Sequence, residues 1–413
     1  MLHAKRTIAA LLALVFLLAG PALAAPQQAV RPAAPAGKIL GPAADEAMGE
    51  IYRSLAEMSP DELAATLKLF RVRRIIKNLY VDDTAGIDLM TGAVRGAVAA
   101  VGDPYSDYFD AKAFKEFLVE VKGSFGGVGL VLGMRDKQIT VVAPIEGTPA
   151  DQAGIASGDR IIAINGQSTK EMAIDEAVAM IRGPEGSEVT LTVARPGQEA
   201  VDYAITRATI QIKTVTGKML DGGIGYIRLS YFNENTGDEF AAKLRDLESQ
   251  GLKALILDLR NNPGGLIDES VKVAGHLIPP GPVVSVVSRD GKRREHFPPR
   301  PAETRYPLAV LINGGSASAS EIVAGAVQDT GAGTLVGTKS FGKGSVQSLF
   351  PLGDDTALKL TTAKYHTPKD RVIHGIGIEP DVAVELPADY KDSRVDSQLD
   401  KAIEIIKGKL QQG

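Results

Sequence analysis

The chain has 413 residues, of which 44% are apolar and 23% charged, and it contains no cysteine. This length exceeds that of one ordinary hydrophobic core and predicts two or three domains, while the composition is that of a soluble globular protein. A net charge of −4 argues against a nucleic-acid-binding protein, which would carry a basic stripe.

The first residues have the pattern of a secretory signal. Two basic residues, Lys5 and Arg6, precede an apolar run over 8–19, and Ala-Leu-Ala at 22–24 places small residues around a cleavage site. A membrane anchor would need about 20 apolar residues. We therefore predict a cleaved signal peptide over 1–24 and a periplasmic location, with membrane association left open.

Two segments separate this signal from the first strands. Residues 25–43 are rich in Ala, Pro and Gln, which predicts a flexible linker. Over 44–112 apolar residues recur at helical spacing, and Ser59 followed by Pro60 is typical of a helix start. We predict an N-terminal helical region here, which either packs within the chain or contacts a second copy.

The rest of the chain mixes strands with helices. Residues 113–205 have the apolar period of strands, with one helix over 174–182, and form a module of domain size. Over 206–386 apolar strands alternate with helical stretches, which favours a βαβ-rich core. The tail, 387–413, contains an amphipathic helix that packs on its own core or on another chain. The predicted fold class is α/β, within an α+β multidomain chain.

Two segments of the core region combine a serine with a lysine. Ser318 lies in the small-residue run 314–321, and Lys343 lies between two glycines in the run 341–347. A serine hydroxyl needs a positioned base, and lysine serves as one only when it is neutral. Gln347 is placed to hydrogen-bond the lysine amine. The pair predicts a hydrolase with Ser318 as nucleophile and Lys343 as base; a helix cap and a solvated loop lysine are the alternatives.

Backbone amides near these segments predict an oxyanion hole. Ala319 opens a helix, where an N–H group is oriented to stabilise negative charge. Gly265 ends the run Asp-Leu-Arg-Asn-Asn-Pro-Gly-Gly over 258–265 and offers a second donor, because glycine lets the backbone approach a ligand. Asp258 and Arg260 either form an ion pair, or Arg260 orients Glu321.

Other chemistries have weaker patterns. No phosphate-binding loop of the form G-x-x-x-x-G-K-[ST] is present, and the histidines do not have metal-binding H-x-x-x-H spacing. A Ser/His/Asp triad that uses His366 or His374 stays open. We predict no cofactor and no metal.

The segments 258–265, 314–321 and 341–347, together with Gly-Ile-Gly-Ile-Glu-Pro-Asp at 375–381, resemble the carboxyl-terminal processing peptidases, also called tail-specific proteases, over about 45–385. The resemblance implies a role for each residue that matches the family's motifs. Under it, Ser318 is the nucleophile, Lys343 the base, Gln347 its polar partner, Gly265 and Ala319 the oxyanion amides, and Asp258, Arg260 and Glu321 support the site.

The middle module resembles a PDZ domain of the permuted bacterial type. The residues Gly127, Val128, Gly129 and Leu130 resemble its carboxylate-binding loop and first strand, which bind a peptide by strand addition. Together the resemblances imply an exported serine endopeptidase that recognises protein C-termini, works as a homo-oligomer and uses an adaptor protein. A PDZ adaptor with a vestigial hydrolase core, and a hydrolase of cell-wall amides, are the alternatives.

Overall fold

The structure is a computed structural model that describes residues 49, 52–86, 88–195, 197–298, 306–387 and 395–412. The predicted signal peptide and linker lie outside the described residues. The chain divides into two compact units, 1–94 and 95–413. Within the described ranges, no helix combines the length and the hydropathy needed to cross a bilayer.

The N-terminal unit is helical. A short helix covers 52–57, α1 spans Pro60–Leu79, and α2 (Leu89–Ala99) contains the division between the two units. The Ser59 N–H donates to the Glu62 carboxylate at 2.7 Å, and the Glu62 N–H donates to the Ser59 hydroxyl at 3.3 Å. These reciprocal bonds form a capping box at the start of α1. The predicted helical region is confirmed.

The second unit begins with a short strand and a helix that lead into the middle module. Its elements are β1 (Asp107–Phe109), α3 (Ala111–Lys122), β2 (Ser124–Gly127), β3 (Leu130–Arg135), β4 (Gln138–Pro144), α4 (Pro149–Gln152), β5 (Arg160–Ile164), β6 (Gln167–Ser168), α5 (Ile174–Ile181), β7 (Glu188–Ala194), β8 (Val201–Thr206) and β9 (Ala208–Gln211). The main sheet has the order β3-β4-β5-β7-β8, with β6 on β5, and β2 pairs with β9 at the base of the module. The predicted domain bounds stay predictions, and the one between 112 and 113 falls inside α3.

Residues 128 and 129, within the module of predicted strands, do not belong to a strand. Gly129 adopts φ 81°, and a Cβ atom there would lie 2.2 Å from the hydroxyl of Thr148. The chain therefore turns between β2 and β3, and Val128 enters the hydrophobic core of the module instead of a strand. β3 becomes an edge strand of the sheet, with Val131 and Met134 exposed.

The core region combines a mixed sheet with an antiparallel one. Its elements are β10 (Val215–Leu220), β11 (Ile224–Leu229), α6 (Thr236–Ser249), β12 (Ala254–Asp258), α7 (Ile267–Gly275), β13 (Val284–Ser288), β14 (Arg293–His296), β15 (Leu308–Ile312), α8 (Ala319–Thr330), β16 (Thr334–Gly337), β17 (Ser345–Gly353), β18 (Thr356–His366), β19 (Val382–Ala383) and α9 (Ser397–Gln412). The first sheet has the order β10-β11-β12-β15-β16-β19 and is parallel from β11 to β19. The second has the order β1-β18-β13-β14, with β17 on β18.

The central parallel strands β12 and β15 are buried along their whole length, and apolar except for Asp258, because both faces of the sheet are covered. On one face, residues of α6, α7 and α8 join the main hydrophobic core. On the other face, Ala402 and Ile406 of α9 are buried against Ile256 and Leu311. The apolar face of the tail helix thus packs on its own core. The predicted α/β core, with an N-terminal helical region and a PDZ-like module, is confirmed.

β12 and β15 are parallel neighbours, so their carboxyl ends lie at the same edge of the sheet. The chain that follows β12 runs into Gly264 and Gly265, and the chain that follows β15 runs into Ser318. In an open α/β sheet, this edge is where ligands bind.

Candidate active site

Ser318 sits in an unusual backbone conformation at the start of α8. Its φ of 54° and ψ of −114° lie outside the regions that a non-glycine residue normally occupies. The two neighbouring serines hold this turn against the loop after β12. The Ser316 hydroxyl donates to the Leu259 carbonyl at 2.8 Å, and the Ser320 hydroxyl donates to the Asn262 carbonyl at 2.9 Å. The Ser318 side chain is therefore presented from a rigid turn.

The Glu321 side chain connects the turn that carries Ser318 to the loop that carries Lys343. Its buried carboxylate accepts hydrogen bonds from the N–H of Ser318 at 2.9 Å, of Gly342 at 2.7 Å and of Lys343 at 2.8 Å. It also accepts one from the Ser340 hydroxyl at 2.6 Å. One side chain thus fixes the backbones that carry both predicted reactive residues.

Ser318 and Lys343 line the same cavity, of about 800 Å³, together with Gly265 and Gln347. Burial lowers the pKa of Lys343, and the positive charge of Lys359 lowers it further, while the carboxylates of Asp103 and Glu321 oppose the shift. The net direction favours the neutral amine, which is the form that can accept a proton.

Gln347 does not hydrogen-bond the lysine amine. Its amide nitrogen donates to the Ser345 hydroxyl at 3.0 Å and to the Thr361 hydroxyl at 3.1 Å. The strand pairing explains these partners. Gln347 on β17 lies directly opposite Thr361 on β18, so the Gln347 amide bonds its cross-strand neighbour. The contact expected from sequence is therefore absent among the described residues, although Gln347 lines the same cavity.

Two backbone N–H groups beside Ser318 have no acceptor among the described residues, those of Gly265 and Ala319. Gly265 has φ 139°, and a Cβ atom there would lie 2.1 Å from the Phe232 carbonyl. A Cβ at Gly264 would lie 2.7 Å from that of Ser318, so this loop abuts the serine. The arrangement leaves two free donors next to the hydroxyl, as an oxyanion hole requires.

Asp258 and Arg260 form a buried ion pair at 2.7 Å. The sequence left open whether these two residues form an ion pair or Arg260 orients Glu321, and the ion pair is what the structure contains. Arg260 also pairs with Asp396 at 2.8 Å, and the Tyr226 hydroxyl donates to Asp258 at 2.6 Å. The guanidinium is fully engaged by these partners and makes no hydrogen bond to Glu321 in the described structure. The idea that Arg260 orients Glu321 is therefore wrong.

Three family models match the chain. Residues 223–384 match peptidase family S41, residues 140–195 match the PDZ domain, and residues 43–113 match the activating protease CtpB N-terminal domain. A carboxy-terminal-processing protease of Bartonella bacilliformis is 42% identical over 325 residues, which cover 76% of this chain and 74% of the relative. The carboxy-terminal processing protease CtpB of Bacillus subtilis is 38% identical over 328 residues, covering 78% and 68%.

The chain belongs to the carboxy-terminal processing protease family. It is a serine-type peptidase with a PDZ domain, and its family acts on protein substrates. The resemblance drawn from the sequence motifs is thereby confirmed. Among solved structures, the photosystem II D1 C-terminal processing protease is 29% identical, with a TM-score of 0.45 and coverage of 81% of this chain and 96% of that one.

Sequence reasoning missed Tyr365 on β18, which lies at this carboxy-terminal processing protease site. Its hydroxyl lies 3.0 Å from the Ser318 carbonyl and also within hydrogen-bonding distance of the Lys343 carbonyl. Burial raises the pKa of Tyr365 well above its usual value, so the hydroxyl stays protonated and can donate. In sequence Tyr365 looks like any aromatic strand residue, because only the sheet brings it under the two loops.

Among the described residues, His366 and His374 do not form a triad with Ser318. The His366 ring pairs with Asp370 at 2.6 Å, and the His374 ring packs edge-on against Tyr105 at 6.3 Å between centroids. Neither ring is hydrogen-bonded to Ser318 in the described part of the chain. The Ser/His/Asp alternative thus has no geometric support.

The predicted peptide-binding residues divide between two environments. Gly127 is paired with Ala208 in the small sheet, and Val128 is fully buried. Gly129 makes the turn described above, and Leu130 is the first residue of the edge strand β3. Strand addition to this PDZ domain therefore has an unpaired edge available, along β3.

Proposed function

We propose that this carboxy-terminal processing protease is an exported endopeptidase in which Ser318 attacks the substrate and Lys343 is the general base. The observation that carries the proposal is the junction at Glu321, which binds the backbones of both residues while their side chains line one cavity. The lowered pKa of Lys343 supports it, because only the neutral amine accepts a proton.

In the proposed reaction the neutral amine of Lys343 takes the proton of the Ser318 hydroxyl as the oxygen attacks a peptide carbonyl. The resulting oxyanion accepts hydrogen bonds from the N–H groups of Gly265 and Ala319. The tetrahedral intermediate collapses, the lysine ammonium protonates the leaving amine, and an acyl-enzyme forms. Water then attacks the acyl group with Lys343 again as base, which releases the new carboxyl end and restores the serine.

Substrate recognition is assigned to the PDZ domain. A C-terminal segment of the substrate would add as a strand along β3, and its carboxylate would meet the turn of Gly127, Val128, Gly129 and Leu130. The free edge of β3 and the exposed Val131 and Met134 support this placement.

We further propose a periplasmic location after removal of residues 1–24, with membrane association as a second possibility. The match of residues 43–113 to the N-terminal domain of an activating protease favours contact of that region with an adaptor or with a second copy. No nucleic-acid partner is proposed, given the net charge of −4.

A PDZ adaptor with a vestigial core is the second candidate, and the junction at Glu321 disfavours it, because a core without catalysis has no need to hold both loops so closely. A cell-wall amide hydrolase is the third. Cleavage of casein without release of peptidoglycan fragments would exclude it.

The test is proteolysis by the purified mature protein with Ser318→Ala and Lys343→Ala. Both variants should lose at least about 100-fold in kcat/KM and keep the wild-type melting temperature. Lys339→Ala is the matched control: Lys339 is half exposed and forms an ion pair with Glu379, so the variant should leave activity unchanged. Turnover by either variant at the wild-type rate would refute the assignment, and peptide binding without turnover by the wild type would favour the adaptor.

A further inference from the structure

The catalytic lysine of the proposed function rests on an aromatic ring from outside the peptidase match. The Nζ atom of Lys343 lies over the ring of Tyr105, 5.0 Å from its centroid. Tyr105 belongs to the turn Asp103-Pro104-Tyr105-Ser106, which precedes β1 and falls in the 43–113 match instead of the 223–384 match. Its ring is partly buried between Lys343 and the ring of His374.

Hydrogen bonds within this turn and to β18 fix its conformation. The Asp103 carboxylate accepts hydrogen bonds from the Tyr105 N–H at 3.2 Å and from the Ser106 hydroxyl. The Ser106 oxygen in turn accepts the Thr361 N–H of β18 at 3.1 Å. The Thr361 hydroxyl also accepts a hydrogen bond from the Gln347 amide. The turn and Gln347 are therefore both hydrogen-bonded to Thr361.

Several charged or titratable groups surround Lys343 from different elements. The charges of Asp103 in the turn, Glu321 in α8 and Lys359 in β18 act on its amine, and the Tyr105 ring lies under it. The Tyr365 hydroxyl of β18 contacts the Lys343 carbonyl, and His374 packs against Tyr105. Burial would raise the pKa of Asp103, but hydrogen bonds from Ser106, Thr361 and the Tyr105 amide outweigh it and lower that pKa. Asp103 is therefore a charged carboxylate that raises the pKa of Lys343, whereas Lys359 lowers it.

We propose that Tyr105 is a positioning residue for Lys343, and that the turn 103–106 holds its ring over the lysine amine. The inference rests on the proposed role of Lys343 as base. The ring acts in two opposite ways. Its face attracts the ammonium form, and its bulk keeps water away from the amine, which favours the neutral form. Tyr105 thus positions the amine, and its face and its bulk act on the pKa of Lys343 in opposite directions.

Replacing the ring separates these two actions. Tyr105→Leu keeps most of the bulk but removes the aromatic face, so the ammonium loses stabilisation and the pKa of Lys343 falls. Tyr105→Ala opens the site to water, so the ammonium gains solvation and the pKa rises. Tyr105→Phe keeps face and bulk and should behave like the wild type.

The experiment measures kcat/KM of the full mature protein from pH 5 to pH 9 on one fluorogenic peptide. Because Lys343 must be neutral to act, the acid limb of the profile follows its pKa. The limb should move to lower pH by about half a unit in Tyr105→Leu, to higher pH in Tyr105→Ala, and not at all in Tyr105→Phe. Tyr108→Leu is the matched control, since the Tyr108 ring lies against Arg95 in the same segment.

Asp103→Asn is a second, independent variant, because it keeps the size and the acceptor oxygen of Asp103 but removes its charge. It should move the acid limb to lower pH even if the tyrosine variants do not fold. The inference fails if no variant moves the limb, if the leucine and alanine variants move it the same way, or if Tyr108→Leu moves it equally. In each case, a wild type that cleaves and a Ser318→Ala variant that does not would leave the proposed function standing.

Discussion

Ser318 is held in its strained conformation by neighbours that have no part in the chemistry. The hydroxyls of Ser316 and Ser320 bind the loop after β12, and the carboxylate of Glu321 binds the Ser318 N–H. Strain of this kind persists only where the surroundings over-determine the backbone. The same carboxylate accepts the Lys343 N–H, so one shared group positions the proposed nucleophile and the proposed base.

The effect of the Lys359 charge on the pKa of Lys343 can be tested by mutation. Its ammonium disfavours the charged form of Lys343, so Lys359→Met should raise the pKa of Lys343. The acid limb of the kcat/KM profile should then move to higher pH by a fraction of a unit, and the rate at neutral pH should fall. The effect of the wild-type charge should weaken as salt is added.

Lys364→Met on the same strand is the control for this prediction, because Lys364 is exposed and should leave the profile unchanged. A limb that moves to lower pH in Lys359→Met would contradict the assigned sign of the interaction.

At the scale of elements, the loop after β12 depends on two consecutive glycines. Gly264 and Gly265 have φ of 106° and 139°, and both lie too close to neighbouring backbone to accept a side chain. The Gly264 carbonyl accepts the Phe232 N–H at 2.9 Å, and the Leu266 N–H donates to the Phe232 carbonyl at 2.8 Å. This bridge leaves the Gly265 N–H without an acceptor among the described residues.

Gly265→Ala should therefore displace the loop, since the new methyl group would meet the Phe232 carbonyl at 2.1 Å. We expect a loss of about 100-fold or more in kcat, because one oxyanion donor leaves its position. Steady-state kinetics on a peptide substrate gives the measurement.

Gly281→Ala provides the comparison: Gly281 also has a positive φ, of 156°, but no atom lies within 4 Å of the added carbon. It should lose some stability through strain and keep its kcat. Equal kcat for the wild type and Gly265→Ala would show that the Gly265 amide is not an oxyanion donor.

Across the whole molecule, an ion pair between residues far apart in sequence connects the sheet to the C-terminal helix that covers it. Arg260 follows β12 and pairs with Asp396, which precedes α9, the helix that covers one face of the sheet. Burial would lower the pKa of Arg260, but its hydrogen bonds to Asp258 and Asp396 outweigh this and raise it. The pair therefore ties the tail to the loop that leads to Gly265.

Arg260→Ala should cost about 3 kcal/mol of the free energy of unfolding, because it leaves the buried carboxylate of Asp258 without its cation. Urea unfolding followed by circular dichroism measures the change. Lys401→Ala removes an exposed pair with Glu404 in α9 and should stay within about 0.5 kcal/mol of the wild type. If the two variants were equally stable, the ion network would not be what holds the tail.

Local sequence patterns are sufficient to predict the class of the chain and the residue types of its candidate active site. Periodicity is local, so it predicted the helices, the PDZ-like module and the α/β core, and the short motifs around Ser318 and Lys343 resembled the family that the matches then showed. Glycine requirements are local as well, so the Gly-Gly pair at 264–265 predicts a loop whose backbone can approach a ligand closely.

The contacts between these side chains depend instead on how distant segments of the chain pack together. Gln347 bonds Thr361 instead of the lysine because β17 pairs with β18 in that register, and Arg260 bonds Asp396 from the other end of the chain. Tyr105 and Tyr365 reach Lys343 across 238 and 22 positions of sequence (343 − 105 and 365 − 343). Such contacts depend on strand register and sheet packing, which no local pattern of residues encodes.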